Sequence, residues 1–152
     1  MLWRKGTHTI RDLGVLPGGS TVNRFSVAYG VNNLGQIVGS SDVTGGGRHV
    51  FRWVAGVMQD LGTPSGGFST SFAEAFGIND AGQIVGSGVG FTGLNQAFVW
   101  NAGSYTDLGF LPTGNVSSAR SINRNGFIAG TSNRQKPNSN NHVDHAATRA
   151  TP

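Results

Sequence analysis

Three aspartates recur along the chain, Asp12, Asp60 and Asp107, each followed by Leu-Gly. A carboxylate beside a Leu-Gly turn could hold calcium or serve as a general acid or base. Recurrence argues against both, because a reaction needs one site and not a copy in every unit. The role that fits all three is structural: a short acid at a strand end accepts backbone amides and caps the turn. Trp3, Trp53 and Trp100 also recur, and indole rings could stack on sugars. Phe51 and Phe98 lie two residues before the latter two, and in a strand that spacing puts both rings on one face. The expected place for these rings is therefore a core between units.

The remaining candidates are local. Gly88-Val89-Gly90-Phe91-Thr92-Gly93 spells G-x-G-x-x-G. A dinucleotide site needs that spelling to open a helix, and none is predicted here, so it reads as a loop. His142, Asp144 and His145 carry metal-binding atoms but sit in a polar tail without a scaffold to set geometry. His8 and His49 have no evident partner in the sequence. Asn115-Val116-Ser117 is a glycosylation tripeptide, of a kind common by chance. The chain has no cysteine, which excludes disulfides, zinc-thiolate centres and thiol nucleophiles. No catalytic, cofactor or metal residue is assigned, no ligand-binding residue is identified, and no cofactor is expected.

The elements that would position these residues form a repeat. The Asp-Leu-Gly triplets are 48 and 47 residues apart. Each follows a tryptophan and a short polar turn, and each precedes a Gly/Pro/Ser loop. A second shared block then appears as GVNNLGQIVGSS from Gly30, GINDAGQIVGSG from Gly77 and SINRNGFIAGTS from Ser121. Fixed-period self-similarity of this kind marks a repeat architecture.

Within one unit, Asn32 to Gly35, Asn79 to Gly82 and Asn123 to Gly126 predict type I turns. Asn bonds the backbone ahead of it, and Gly takes the left-handed closing position. Short apolar runs on either side, 26–31 and 36–40 in the first unit, predict a β-hairpin. Gly39 keeps a small residue where two backbones approach. A third strand is predicted at 49–53 and 96–100, and a fourth at 57–61 and 104–108. No segment carries a helical period with caps. Four antiparallel strands per unit predict an all-β fold of repeated four-stranded units, β-propeller-like, with about three blades. An irregular β-solenoid is the alternative.

The expected organisation is a single β-repeat domain over 1–132, with units at about 2–52, 53–99 and 100–132, and a disordered or divergent tail over 133–152. The count of predicted strands is twelve, with one blade split between the two ends. Propellers typically have about four to eight blades. The expectation is therefore a fragment of a longer propeller, or else a homo-oligomer whose copies complete a ring.

Composition narrows the function class. Glycine, at 25 of 152 residues, is spread without a three-residue period, which points to tight β-turns and not to collagen. The net charge is +4. Residues 53–119 contain no Lys or Arg, so the positive charge sits at the two ends. A nucleic-acid surface built by a repeat would recur with it, and no nucleic-acid partner is expected. No apolar run is long enough for a membrane span. The segment after Met1, Leu2-Trp3-Arg4-Lys5, lacks the apolar stretch of an export signal, so any such signal is expected to lie outside this chain.

The blocks GVNNLGQIVGSS, HVFRW, VMQDLG, GINDAGQIVGSG, QAFVW and YTDLG resemble the bacterial HAF-repeat family of extracellular repeat proteins, over residues 2 to about 132. That family shows G-I-N-x-x-G-x-I/V-V-G, then H-A-F-x-W, then D-L-G-T-L-G-G. The resemblance implies a propeller-like fold and a secreted or cell-surface protein. The naming triplet departs from the family in each copy: His49-Val50-Phe51, Gln96-Ala97-Phe98 and His145-Ala146-Ala147.

The leading expectation is a non-enzymatic binding module for an unknown protein or glycan. Its ligand would meet loops 16–21, 64–71 and 112–118 at one end of the blades, or loops 41–48 and 87–96 at the other. One alternative is a lectin-like oligomer. The other is a fragment of a propeller hydrolase, which would need non-repeated acidic or histidine clusters that the sequence lacks.

Overall fold

A computed structural model of the chain describes residues 2–3, 6, 10–17, 25–64, 72–89, 93–135 and 142–150. These residues are all-β, with thirteen strands and no helix. The first sheet holds β3 (Ser26–Val31), β4 (Ile37–Asp42), β5 (Arg48–Val54) and β6 (Val57–Gly62), paired antiparallel in chain order. The second repeats it with β7 (Ala73–Ile78), β8 (Ile84–Val89), β9 (Asn95–Asn101) and β10 (Ser104–Gly109). The third holds β11 (Ser117–Ile122), β12 (Phe127–Gln135) and β13 (His142–Ala150). A two-stranded pair, β1 (Leu2–Trp3) and β2 (Ile10–Arg11), precedes them.

The turns are built as their residues dictate. Asn32 Oδ1 accepts the amides of Leu34 and Gln36, and Gly35 closes the turn at φ 73°. Asn123 Oδ1 likewise accepts the amides of Asn125 and Phe127. The same asparagines also link sheet to sheet. Asn32 Nδ2 donates to the Asn79 carbonyl at 3.0 Å, and Asn79 Nδ2 donates to the Asn123 carbonyl at 3.1 Å. Each turn thus leans on the next. Asn79 is buried, where an unpaired amide would cost about 1–3 kcal/mol.

Alternation along the strands gives each sheet two faces, and the faces pack in series. Ile37, Phe51 and Trp53 pack with Leu13 and Leu16. Val38 and Val50, on the other face of that sheet, pack with Ile84, Phe98 and Trp100 of the second sheet. Val85, Ala97 and Val99 pack with Ala119 and Ile128 of the third. The Phe–Trp pairs are core residues, as their spacing predicts: Trp53 is 6% and Trp100 7% exposed. The Trp3 side chain lies outside the described residues.

Each full repeat contains two bulges. One skips Leu61 between Val50↔Gly62 and Phe51↔Asp60, and its copy skips Leu108. Both leucines are thereby turned into the space between sheets, where they join the apolar clusters. The other skips Tyr29, Phe76 and Arg120 on the first strands. A bulge re-aims the unpaired side chain.

Two expectations change at the C-terminal end. A disordered or divergent tail is expected over 133–152. In the structure β12 runs on to Gln135, and His142–Ala150 pairs with it over nine residues. The polar composition that suggests disorder concerns side chains. Pairing here is by backbone, and the free edge of β12 offers a row of unpaired amides and carbonyls. The second change concerns the split blade. β13 lies on the edge of β12 that a pair such as β1–β2 would need in order to complete a four-stranded sheet.

The loops after the Asp-Leu-Gly turns are tied back by hydroxyls. Ser26 Oγ donates to the Gly14 carbonyl at 2.8 Å, and Ser117 Oγ to Gly109 at 2.7 Å. The equivalent residue in the second sheet is Ala73. There Tyr105 Oη donates to the Gly62 carbonyl at 3.2 Å instead. Burial, with the Asp60 carboxylate adding to it, pushes the Tyr105 phenol well up. The folded chain then holds this proton more tightly than the unfolded chain, whose tyrosines titrate at about 10. Stability from this source is complete below that pH and falls above it. The urea midpoint is expected to drop between pH 9 and 11, and Tyr105→Phe to flatten part of the slope. An identical slope in the variant would contradict the assignment.

Candidate functional site

The residues singled out by sequence fall into structural roles. Asp12, Asp60 and Asp107 each accept the amide of the glycine two residues on, at 2.9, 2.8 and 2.7 Å. They cap turns in which Gly14, Gly62 and Gly109 have positive φ. His49, which has no evident partner in the sequence, has one in the structure. Its Nδ1 lies 3.0 Å from both Asp60 carboxylate oxygens. In the next repeat Gln96 Nε2 donates to Asp107 at 2.9 Å. The first residue of the His-Val-Phe and Gln-Ala-Phe triplets therefore ties the third strand to the turn aspartate.

The other candidates do not converge. Gly88 and Val89 close β8, whereas 90–92 and His8 lie outside the described residues. The backbone of His142, Asp144 and His145 belongs to β13, and His145 is exposed. Among the described residues no three metal-ligating side chains come together. Asn115 is half-buried, and its side-chain oxygen accepts from Asn133 Nδ2 at 2.6 Å.

What the structure does bring together is a row that sequence reading missed. The first strands β3, β7 and β11 are edge strands of their sheets, and they lie beside one another. A Cβ at Gly30 would stand 2.9 Å from the Phe76 carbonyl oxygen, and one at Gly77 would stand 3.2 Å from the Ser121 Cα. Only small residues allow this approach, and it sets the three bulge residues in file. The Tyr29 and Phe76 rings meet edge-on at 5.3 Å, and the Arg120 guanidinium lies 4.4 Å from the Phe76 centroid. Tyr29 is 45% exposed.

An ionic cluster flanks the row. Arg48 pairs with Asp42 at 3.2 Å and with Glu74 at 3.1 Å. Its guanidinium also lies 4.6 Å from the Phe25 ring and 6.0 Å from Phe72. Partial burial and the neighbouring Glu74 carboxylate, to which the phenol is hydrogen-bonded, push the Tyr29 phenol up. The surface thus carries four partly exposed aromatic rings among two guanidiniums and two carboxylates. Such a surface can stack, donate and accept along an extended ligand.

One signal for the row was present in the sequence. Tyr29, Phe76 and Arg120 occupy one column of the repeat, each immediately before Gly30, Gly77 or Ser121. The bulge that exposes the column leaves no mark in a period-two reading. Comparison of the chain with protein-family models, with curated proteins and with solved structures finds no match.

Proposed function

We propose that this chain is a β-propeller-type module of the HAF-repeat kind, secreted or surface-exposed and non-enzymatic, that holds a glycan across the first strands of successive sheets. The observation that carries the reading is the file Tyr29–Phe76–Arg120 with Arg48 and Glu74 beside it. The exposed Tyr29 ring, with the half-buried Phe76 ring beside it, offers apolar surface to a sugar unit. Guanidiniums and carboxylates flanking them match hydroxyl groups, which both donate and accept. Serial four-stranded sheets with neighbouring first strands support the propeller-type arrangement. The resemblance of the sequence blocks supports the location outside the cell.

The test is a glycan array followed by titration of the best binder. Tyr29→Ala and Phe76→Ala are each expected to weaken binding at least tenfold, about 1.4 kcal/mol. Because Tyr29 is half exposed, its variant is expected to melt within a few degrees of the parent. Binding that ignores both variants, or no glycan binding at all, would overturn the proposal. A lectin-like ring of several copies is the second form of the same reading. It requires β13 to leave the β12 edge, so native mass spectrometry is expected to show a monomer unless the tail is displaced.

A further inference from the structure

The strand registers make the three sheets directly comparable. Gly39 pairs with Phe51, Gly86 with Phe98 and Gly130 with Ala147. Ile37 pairs with Trp53, Ile84 with Trp100 and Ile128 with Arg149. In the first two sheets a phenylalanine therefore sits opposite a glycine of the second strand. Phe51 and Phe98 are each 1% exposed, and the Phe98 Cζ stands 2.7 Å from where a Gly86 Cβ would be. In the third sheet both rings are replaced, by a methyl group and by a guanidinium.

The missing ring leaves space. A cleft of about 150 Å3 opens over Gly130, lined by Ala97, Leu108, Leu111, Ala119 and Ala147 together with serines and threonines of β11, β12 and β13. Its position between the second and third sheets matches that of Phe51 and Phe98 in their interfaces. The leucines report the same gap. Leu16 of the first loop is 0% exposed beside Phe51, whereas its counterpart Leu111 is only half-buried. Arg149, at the tryptophan position, reaches across the mouth and donates to the Leu108 carbonyl at 2.8 Å.

We infer that this cleft is a binding site for a small molecule carrying a single aromatic ring. By its repeat the chain builds the same pocket three times and fills it from its own third strand only twice. An apolar protein cavity of about 150 Å3 is large enough to take up benzene. The apolar part of the lining, supplied by two sheets, gives the ring contacts like those that Phe98 makes in the sister interface. The site is separate from the Tyr29–Phe76 row and does not depend on it.

Toluene is the probe. Its addition to the wild-type chain is expected to raise Tm progressively with concentration. Nuclear Overhauser effects are expected from toluene ring protons to the Ala147 and Leu111 methyl groups. Ala147→Phe supplies the ring covalently, and its Tm without toluene is expected to rise by roughly 2–6 °C. Its response to toluene is expected to vanish. An unchanged wild-type Tm, contacts to other methyl groups, or an undiminished response in Ala147→Phe would overturn the inference. Should Ala147→Phe fail to fold, Ala147→Leu fills much of the same space, and the wild-type contacts decide the matter alone.

Discussion

Gly86→Ala is expected to cost about 3 kcal/mol of stability, a large share of the roughly 5–15 kcal/mol that keeps a domain folded. A Cβ at Gly86 would fall on the Glu74 carbonyl oxygen, and would stand 2.7 Å from the Phe98 Cζ on the same side. β8 lies between β7 and β9, so it cannot bend away without breaking ladder hydrogen bonds on one side. The β7 bulge brings the opposing carbonyl close, and the glycine is the counterpart of that bulge. Gly130→Ala meets the Ser118 carbonyl oxygen in the same way but has no ring above it. It is therefore expected to cost less than Gly86→Ala. Urea melts of both variants check the order. Equal stabilities, or a Gly86→Ala loss below about 1 kcal/mol, would contradict the close approach.

Phe98→Ala is the second large effect, expected at about 3–5 kcal/mol. The ring is 1% exposed, lies in the cluster shared by the first and second sheets, and meets Tyr105 edge-on at 5.0 Å. Removing it opens a cavity and also frees Tyr105, whose hydroxyl ties the Gly62 carbonyl across the same interface. The loss is thus expected at the high end of the range, with the m-value unchanged if unfolding stays two-state. A loss under about 2 kcal/mol would mean that the sheets close over the gap, and that the ring does not hold them in place.

Much of the fold was legible because the repeat presents each local signal more than once. The Asn-x-x-Gly turns, the Asp caps and the shared face of Phe and Trp are all chemistry within a few residues, and each appears where its residues predict. What escaped depends on contacts between distant residues or on breaks in the strand period. The bulges are the main case. Alternation assumes an unbroken period of two, and one inserted residue reverses every side chain beyond it. The inward turn of Leu61 and Leu108 and the exposure of Tyr29 and Phe76 both follow from such insertions. The His49–Asp60 pair escaped because the partners sit on neighbouring strands eleven residues apart. β13 escaped because its residues advertise no core. Its pairing rests on the backbone edge of β12, with Ala147 where the other repeats carry phenylalanine.

Successive sheets pack in series with their first strands side by side. A nuclear Overhauser experiment on the folded chain tests this arrangement most directly. The arrangement predicts cross-peaks between the Tyr29 and Phe76 rings, whose centroids are 5.3 Å apart, and between the Val38 or Val50 methyl groups and the Phe98 ring. Cross-peaks confined to each sheet, with none linking the first to the second, would contradict it.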